Sequence, residues 1–457
     1  MNEQQYARKK GSGQIDVLNS SAAKIPEGLK KIMDGFDSRF PRYTDFSPAV
    51  PVWCLTPGVK NVIHRFFDTT PLSPSGRYLA VFQLPEKDEM PRPGDRCGIF
   101  VVDLKTGEAK KVWETAGWEY QLGANINWGE SDHQLLFNDV DTSCWQPHAI
   151  VLDPLTGAWR KLEGTVYHAS PDGKFIVSAD LRAMRRTQGG YGVMLPDEKV
   201  PYHKGPSAED GVWLTEVATG GKRLLISHRE AAERTLSAAR LTEYNAKEVY
   251  GFHTKWSPDG ARIMFSLRFF PDEGGKRFYA MYHYGKGLRY DVFSIRPDGS
   301  DLHLAIPAEQ WDKGGHHTTW KPDSSGFTMN LRLDGENMRI CQCGYDGSGL
   351  AAIGGFTGSG HPSFRPGGRW GITDSYRTEP LAFDDGRTVP LRLFDLKNMT
   401  EQLLVRIDVK TPGDGYIDFR LDPHPVWVDN FRYMIFNGMF NGTRAVFCAD
   451  MRKFHEN

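Results

Sequence analysis

The chain has 457 residues, and 56 lysines and arginines against 57 aspartates and glutamates leave a formal charge of -1. That balance argues against a general nucleic-acid binder, and no apolar run reaches bilayer-spanning length, so neither nucleic acid nor membrane is an expected partner. Six scattered cysteines cannot staple a chain this long, and Cys341-Gln342-Cys343, their one close pair, is a weak zinc signal without a second pair. The 48 glycines suit a fold with many tight turns.

Residues 1–50 read as an N-terminal arm, and residues 51–457 as one repeat domain. The start is polar, with Arg8-Lys9-Lys10 and no apolar stretch behind it, so the default location is cytoplasmic; it becomes periplasmic or secreted if a leader has been removed. A short helix is expected from Ile25 to Asp34, then an extended proline- and aromatic-rich stretch from Phe40 to Pro51.

From there a pattern recurs: a polar start, a Ser/Pro/Asp/Gly turn, then a short alternating strand. It opens at Leu72 to Gly76, followed by Tyr78 to Phe82, and returns at Asn125 to Asp132. Clearer copies are His168-Ala169-Ser170-Pro171-Asp172-Gly173 and His253-Thr254-Lys255-Trp256-Ser257-Pro258-Asp259-Gly260. Further copies begin at His317, His361 and His424. Two units carry insertions, Asp180 to Asp210 and about Phe270 to Leu288. Seven turn-centred units of short strands predict an all-β fold, a seven-bladed β-propeller with four-stranded blades. No recurring element supports a βαβ scheme; a pair of β-sandwiches is the competing reading.

In a propeller, the start of each innermost strand and the loop between the second and third strands open on one face. This predicts that His168, His253, His317, His361 and His424 ring one mouth, with His148 and the Asp180–Asp210 insertion on the same rim. A single such histidine is ordinarily structural, but repetition at one architectural position points to chemistry. Neutral imidazoles from several blades suit a divalent cation, zinc or manganese, with His253, His317 and His361 as ligands and His424 next. His148 and His168 then remain for proton transfer. Arg182, Arg185, Arg186 and Arg240 are candidates to hold a carboxylate, unless the loop is simply a solvated charged segment. Tyr191 and Tyr244 are candidate proton donors or acceptors. Trp256 and Trp320, three residues after their histidines, are expected to pack between blades.

Several stretches carry a resemblance: His64-Arg65-Phe66-Phe67-Asp68, Gln121-Leu122-Gly123-Ala124 before Trp128, the pair His148 and His168, and Gly360-His361-Pro362-Ser363 before Thr373-Asp374. From about His64 onward the chain resembles the seven-bladed polysaccharide lyases, the propeller ulvan lyases first and the oligogalacturonate lyases second. The resemblance implies β-elimination at a 4-linked uronic acid, with an acidic poly- or oligosaccharide as partner. On the ulvan-type pattern His148 and His168 are the proton-transfer pair. Arg240 or an arginine of the 182–186 loop neutralises the carboxylate, Tyr191 or Tyr244 assists, and the metal is structural. On the oligogalacturonate-type pattern His253 is the base and Arg240 or Arg229 the neutraliser, while His317, His361 and His424 hold a catalytic metal. A non-enzymatic binding propeller of the TolB kind is the reading from another class.

Overall fold

The repeated turn forms for a local reason. In Ser257–Gly260 the serine hydroxyl donates to Asp259 Oδ1 (2.6 Å) and accepts from the Arg262 amide (2.9 Å). The Gly260 amide donates to the Ser257 carbonyl (2.9 Å) at a φ of 72°, a left-handed value glycine takes without strain. Ser170–Gly173 repeats these bonds, with Ser170 Oγ donating to Asp172 and accepting from the Phe175 amide (3.0 Å). Each turn therefore fixes a hairpin between the first two strands of a blade.

A computed structural model describes residues 34–276, 288–411, 419–428 and 431–454. The helix expected from Ile25 and the core of the 270–288 insertion fall outside these ranges. Seven four-stranded antiparallel sheets form the expected propeller. The innermost strands of blades one to six are Val62–Ile63, Asn127–Trp128, His168–Ala169, Lys247–Trp256, Gly315–Trp320 and Ser363–Phe364. Blade seven combines Val426–Val428, Tyr433–Phe440 and Thr443–Asp450 with a strand from the start of the described chain, Val52–Cys54. Val52 pairs with Ala449 and Cys54 with Phe447, so the ring is closed by hydrogen bonds between its two ends.

Neighbouring blades are stitched by polar side chains. Trp128 Nε1 donates to the Pro71 carbonyl (2.9 Å) and Trp320 Nε1 to the Lys255 carbonyl (3.1 Å). Asn330 Nδ2 donates to the Gly360 carbonyl (2.9 Å), and Asn138 and Asn437 likewise reach the next blade. Buried backbone groups between blades thus find partners without a continuous sheet. Cys341 and Cys343 lie on one buried face of blade five, in an apolar cluster with Met264 and Trp311. Among the described residues no helix is long and apolar enough to cross a membrane.

Candidate functional site

His253 is four residues from the Ser257 turn, so its innermost strand holds the imidazole at one end of the channel and the turn at the other. The register of that strand shifts between Phe252 and Thr254, and that of blade five between His316 and Thr319. A bulge inserts an extra residue and re-aims its side chain; here the residues concerned are His253 and His317. His317 (φ 61°) and His424 (φ 48°) also adopt the left-handed region, uncommon for a residue with a Cβ.

Between the histidines runs the segment His64 to Asp68. Phe66 and Phe67 are fully buried, and the Phe66 ring lies 4.7–6.3 Å from those of His253, His317, His361 and His424. The histidines therefore divide into two groups. His317 stacks on His361 at 3.8 Å, and His361 meets His424 edge-on at 4.3 Å, with His64 6.4 Å beyond. His253 stands across Phe66 from this row, against Tyr167, Tyr191 and Phe252.

Asp374 organises the row. It accepts from the backbone amides of His361 (2.6 Å) and His424 (3.1 Å), and lies 2.9 Å from His361 Nδ1. His361 Nε2 is then the ring's remaining nitrogen. Both ring nitrogens of His64 and both of His424 are buried and outside ordinary hydrogen-bond geometry, with backbone groups of Pro423 and His424 beside the His64 ring and of Arg65 beside the His424 ring. His317 Nε2 meets the Tyr376 hydroxyl (2.9 Å), and His253 Nδ1 meets the Tyr167 hydroxyl. Burial pushes His253, His317 and His424 well below the usual histidine range, with Lys255 and Arg268 adding to the effect at His253. Burial likewise takes His64 down to about 4. These rings are neutral at pH 7, and His317 uses Nδ1 on the Gly360 carbonyl and Nε2 on Tyr376.

That donor set fits a divalent cation. The ligand atoms of His361, Asp422 and His424 lie within 4.8 Å of one another, and a modest contraction would bring them to the roughly 3.3 Å spacing that bonds of about 2.0–2.2 Å set in tetrahedral geometry. The carboxylate on the His361 ring nitrogen is the outer partner that metal-binding histidines ordinarily have. Asp422 is also paired with Arg420 (2.7 Å). A cavity of about 50 Å³ adjoins this end, lined by Gln188, Tyr191, His253, Arg268, His317, Tyr376 and Arg420 among others. Arg268 stacks on Phe252 at 3.5 Å and donates to Gln188 (2.5 Å).

The roomier cavity, about 690 Å³, lies at the opposite, turn end of the channel. Its walls include Trp128, Trp256, Trp320 and Trp427, and at its floor Lys255 pairs with Asp68 (2.5 Å). Burial opposes ionisation of Asp68, yet Lys255 and Arg65 hold its carboxyl down to about 2. The imidazoles gather at the narrower end, while the wide end holds an already neutralised pair.

The other predicted site residues are distributed differently from the sequence expectation. Tyr191, carried by the 180–210 insertion, reaches the mouth. His168 faces the wide end, where its Nδ1 accepts the Trp256 amide (2.9 Å). His148 sits with Asp139, Asp141 and Lys161, while His168 sits with Arg65, Asp68 and Lys255, so the structure does not bring this pair together. The expectation of one shared rim assumed that every histidine at the start of an innermost strand faces the same way, and the two-residue strand His168–Ala169 does not. Arg240 and Tyr244 lie on the helix Ala238–Asn245 and both bind the buried carboxylate of Asp291, Arg240 at 2.8 Å. Arg182 pairs with Asp180 (2.7 Å), while Arg185 and Arg186 donate to carbonyls of their own insertion. His64, Asp374, Tyr376, Asp422, Arg268 and Arg420 were missed as site residues. His64 was legible in principle, since it directly follows an innermost strand.

Fold and site together define a seven-bladed β-propeller with a histidine-lined channel mouth. No family model matches the chain, and no curated protein matches it. Solved structures do. An oligogalacturonate lyase in complex with manganese aligns with a TM-score of 0.59 at 15% identity, over 90% of this chain and 96% of the other. An oligogalacturonate lyase from Vibrio parahaemolyticus gives the same figures. TolB from Acinetobacter baumannii aligns over 82% of this chain and 80% of its own, with a TM-score of 0.36 at 10% identity. At these identities the likeness shows the fold alone.

Proposed function

We propose that this chain is a carbon–oxygen lyase that cleaves 4-linked uronic-acid oligosaccharides by β-elimination, in the manner of the oligogalacturonate lyases. The observation that carries the reading is the gathering of neutral imidazoles at one channel end, two of them with ring nitrogens outside ordinary hydrogen-bond geometry, beside the guanidiniums of Arg268 and Arg420. The ulvan-type division of labour is less well supported, because it requires His148 and His168 to act on one substrate.

The chemistry has three demands. The C5 proton beside a carboxylate is weakly acidic, so positive charge must stabilise the enolate-like anion that forms as it leaves. A base must accept that proton, and the departing O4 must acquire one. His361, His424 and Asp422 would hold a divalent cation, which when bound supplies positive charge for the substrate carboxylate. Arg268 orients the same carboxylate.

His253 is the base in this scheme. Its Nδ1 is engaged by Tyr167, which leaves Nε2 for the proton, and its depressed pKa keeps the ring unprotonated at neutral pH. The C5–H electron pair becomes the C4=C5 double bond as the C4–O4 bond breaks. The hydroxyl of Tyr191 or Tyr376 supplies the proton to O4. A cavity of about 50 Å³ has room for an ion and water, so the sugar lies across its outer edge.

The test is to incubate the protein with oligogalacturonides and follow the ultraviolet absorbance of the conjugated product. His253→Ala should lower turnover about 10²–10⁴-fold with the fold retained. Undiminished turnover in that variant would remove His253 from the mechanism. Saturable uronide binding without any unsaturated product would instead favour a binding propeller.

A further inference from the structure

Blade three holds a second cluster with ligand chemistry, away from the channel. His203 lies near the end of the 180–210 insertion, Asp210 precedes the strand Gly211–Glu216, and His228 opens the helix His228–Thr235. The His228 amide donates to the Asp210 carbonyl (2.9 Å), which fixes these two residues side by side. Their side chains converge as well. His203 Nδ1 is 3.7 Å and His228 Nδ1 is 3.9 Å from Asp210 Oδ2, and all three atoms lie within 4.8 Å of one another.

These separations are too long for hydrogen bonds, and none of the three atoms has another hydrogen-bond partner. Asp210 is 5% exposed and His228 1%, so water does not readily replace the missing partners. Buried polar atoms left without partners are unfavourable, and a bound ion would satisfy them. A cation with bonds of about 2.0–2.1 Å in tetrahedral geometry sets its ligands roughly 3.3 Å apart, a small contraction from what is seen.

The surroundings hold each donor in place. Asp210 Oδ1 accepts from the Gly211 amide (2.7 Å) and Trp213 Nε1 (3.2 Å), which leaves Oδ2 facing the imidazoles. His203 stacks on Tyr250 at 5.5 Å. The His228 ring lies against Gly251, where an added Cβ would come within 3.0 Å of Nε2. A groove of about 390 Å³ runs past the cluster, with His203 and Asp210 in its lining.

We infer that His203, Asp210 and His228 form a divalent-cation site of zinc type that clasps the 180–210 insertion to the outer part of blade three. The same insertion carries Gln188 and Tyr191 to the channel mouth, so the clasp steadies that wall at a distance. The inference does not depend on the lyase reading.

The test uses the full chain stripped with a chelator and titrated with zinc, with bound metal counted by elemental analysis and calorimetry. Asp210→Asn and His203→Gln should each lose one zinc equivalent that His424→Gln retains. Zinc should also raise the melting temperature of His424→Gln more than that of His203→Gln. His203 is part-exposed, so His203→Gln decides the matter if Asp210→Asn does not fold. Full zinc stoichiometry in His203→Gln, or a wild type whose only zinc is lost in His424→Gln, would overturn the inference.

Discussion

Asp374 touches two histidines through three contacts and is fully buried, so its charge and shape both matter. Asp374→Asn keeps the shape and removes the charge that orients and polarises the His361 ring. Manganese affinity, measured by calorimetry, should fall about 10–100-fold, and the melting temperature should fall as well, because the Asn amide nitrogen must face one of the two backbone amides that the carboxylate now satisfies. His168 makes a different prediction. Burial takes it down to about 3, and it must stay neutral to accept the Trp256 amide. Its folded value lies below the unfolded value, so the unfolded chain binds the proton first and stability is lost as pH falls from about 6.5 toward 3. His168→Ala should cost about 1–3 kcal/mol at neutral pH by stranding that amide. His168→Gln, which can still accept, should flatten the acid limb of a plot of melting temperature against pH. At this scale His317, His361 and His424 could be picked out by their repeat position. Asp422, Tyr376, Arg268 and Arg420 could not, because bulges, positive φ values and contacts across the ring decide what faces the mouth.

The 180–210 insertion shows what element-level reading can and cannot do. Its position between the second and third strands of blade three was legible from the break in alternation. Its arginines looked available for a ligand, yet Arg186 donates to the carbonyls of Pro201 (2.5 Å), Gly275 (2.7 Å) and Val200 (3.1 Å). Glycine-rich chain without strand partners needs donors for its buried carbonyls, and the guanidinium supplies them. Arg186→Ala should destabilise the protein by about 1–3 kcal/mol and speed proteolytic cleavage within 180–210 before the blades are cut. The helices His228–Thr235 and Ala238–Asn245 had local signals too, since Ser227 and Ser237 cap them by accepting from the amides of Glu230 and Arg240. Taking Arg240 and Tyr244 as mouth residues overlooked that such a helix pair turns them toward Asp291.

For the whole molecule, the recurring turn made the propeller readable, and in blades one, three and four it closes with the same hydrogen bonds. The closure was not readable. Val52–Cys54 is three residues between prolines, too short to carry alternation, and its partners Phe447–Ala449 are about 390 residues away. Val52, Trp53 and Cys54 are all buried, as are Phe36 and Phe40 beside them. Deleting residues 1–55 should open the ring and cost more than about 5 kcal/mol, read as a lowered denaturant midpoint. Little change in that midpoint would mean the seventh blade holds with three strands.

We propose that the histidine end of this channel performs β-elimination on a uronate with a divalent cation in place. The most direct measurement is formation of unsaturated product from oligogalacturonides by the protein as purified, after chelation, and after manganese is restored. Product from the purified protein, loss of activity on chelation, recovery with manganese and no recovery in His424→Gln are the expected results. Failure of the manganese-loaded protein to release unsaturated product from any oligouronide would contradict it.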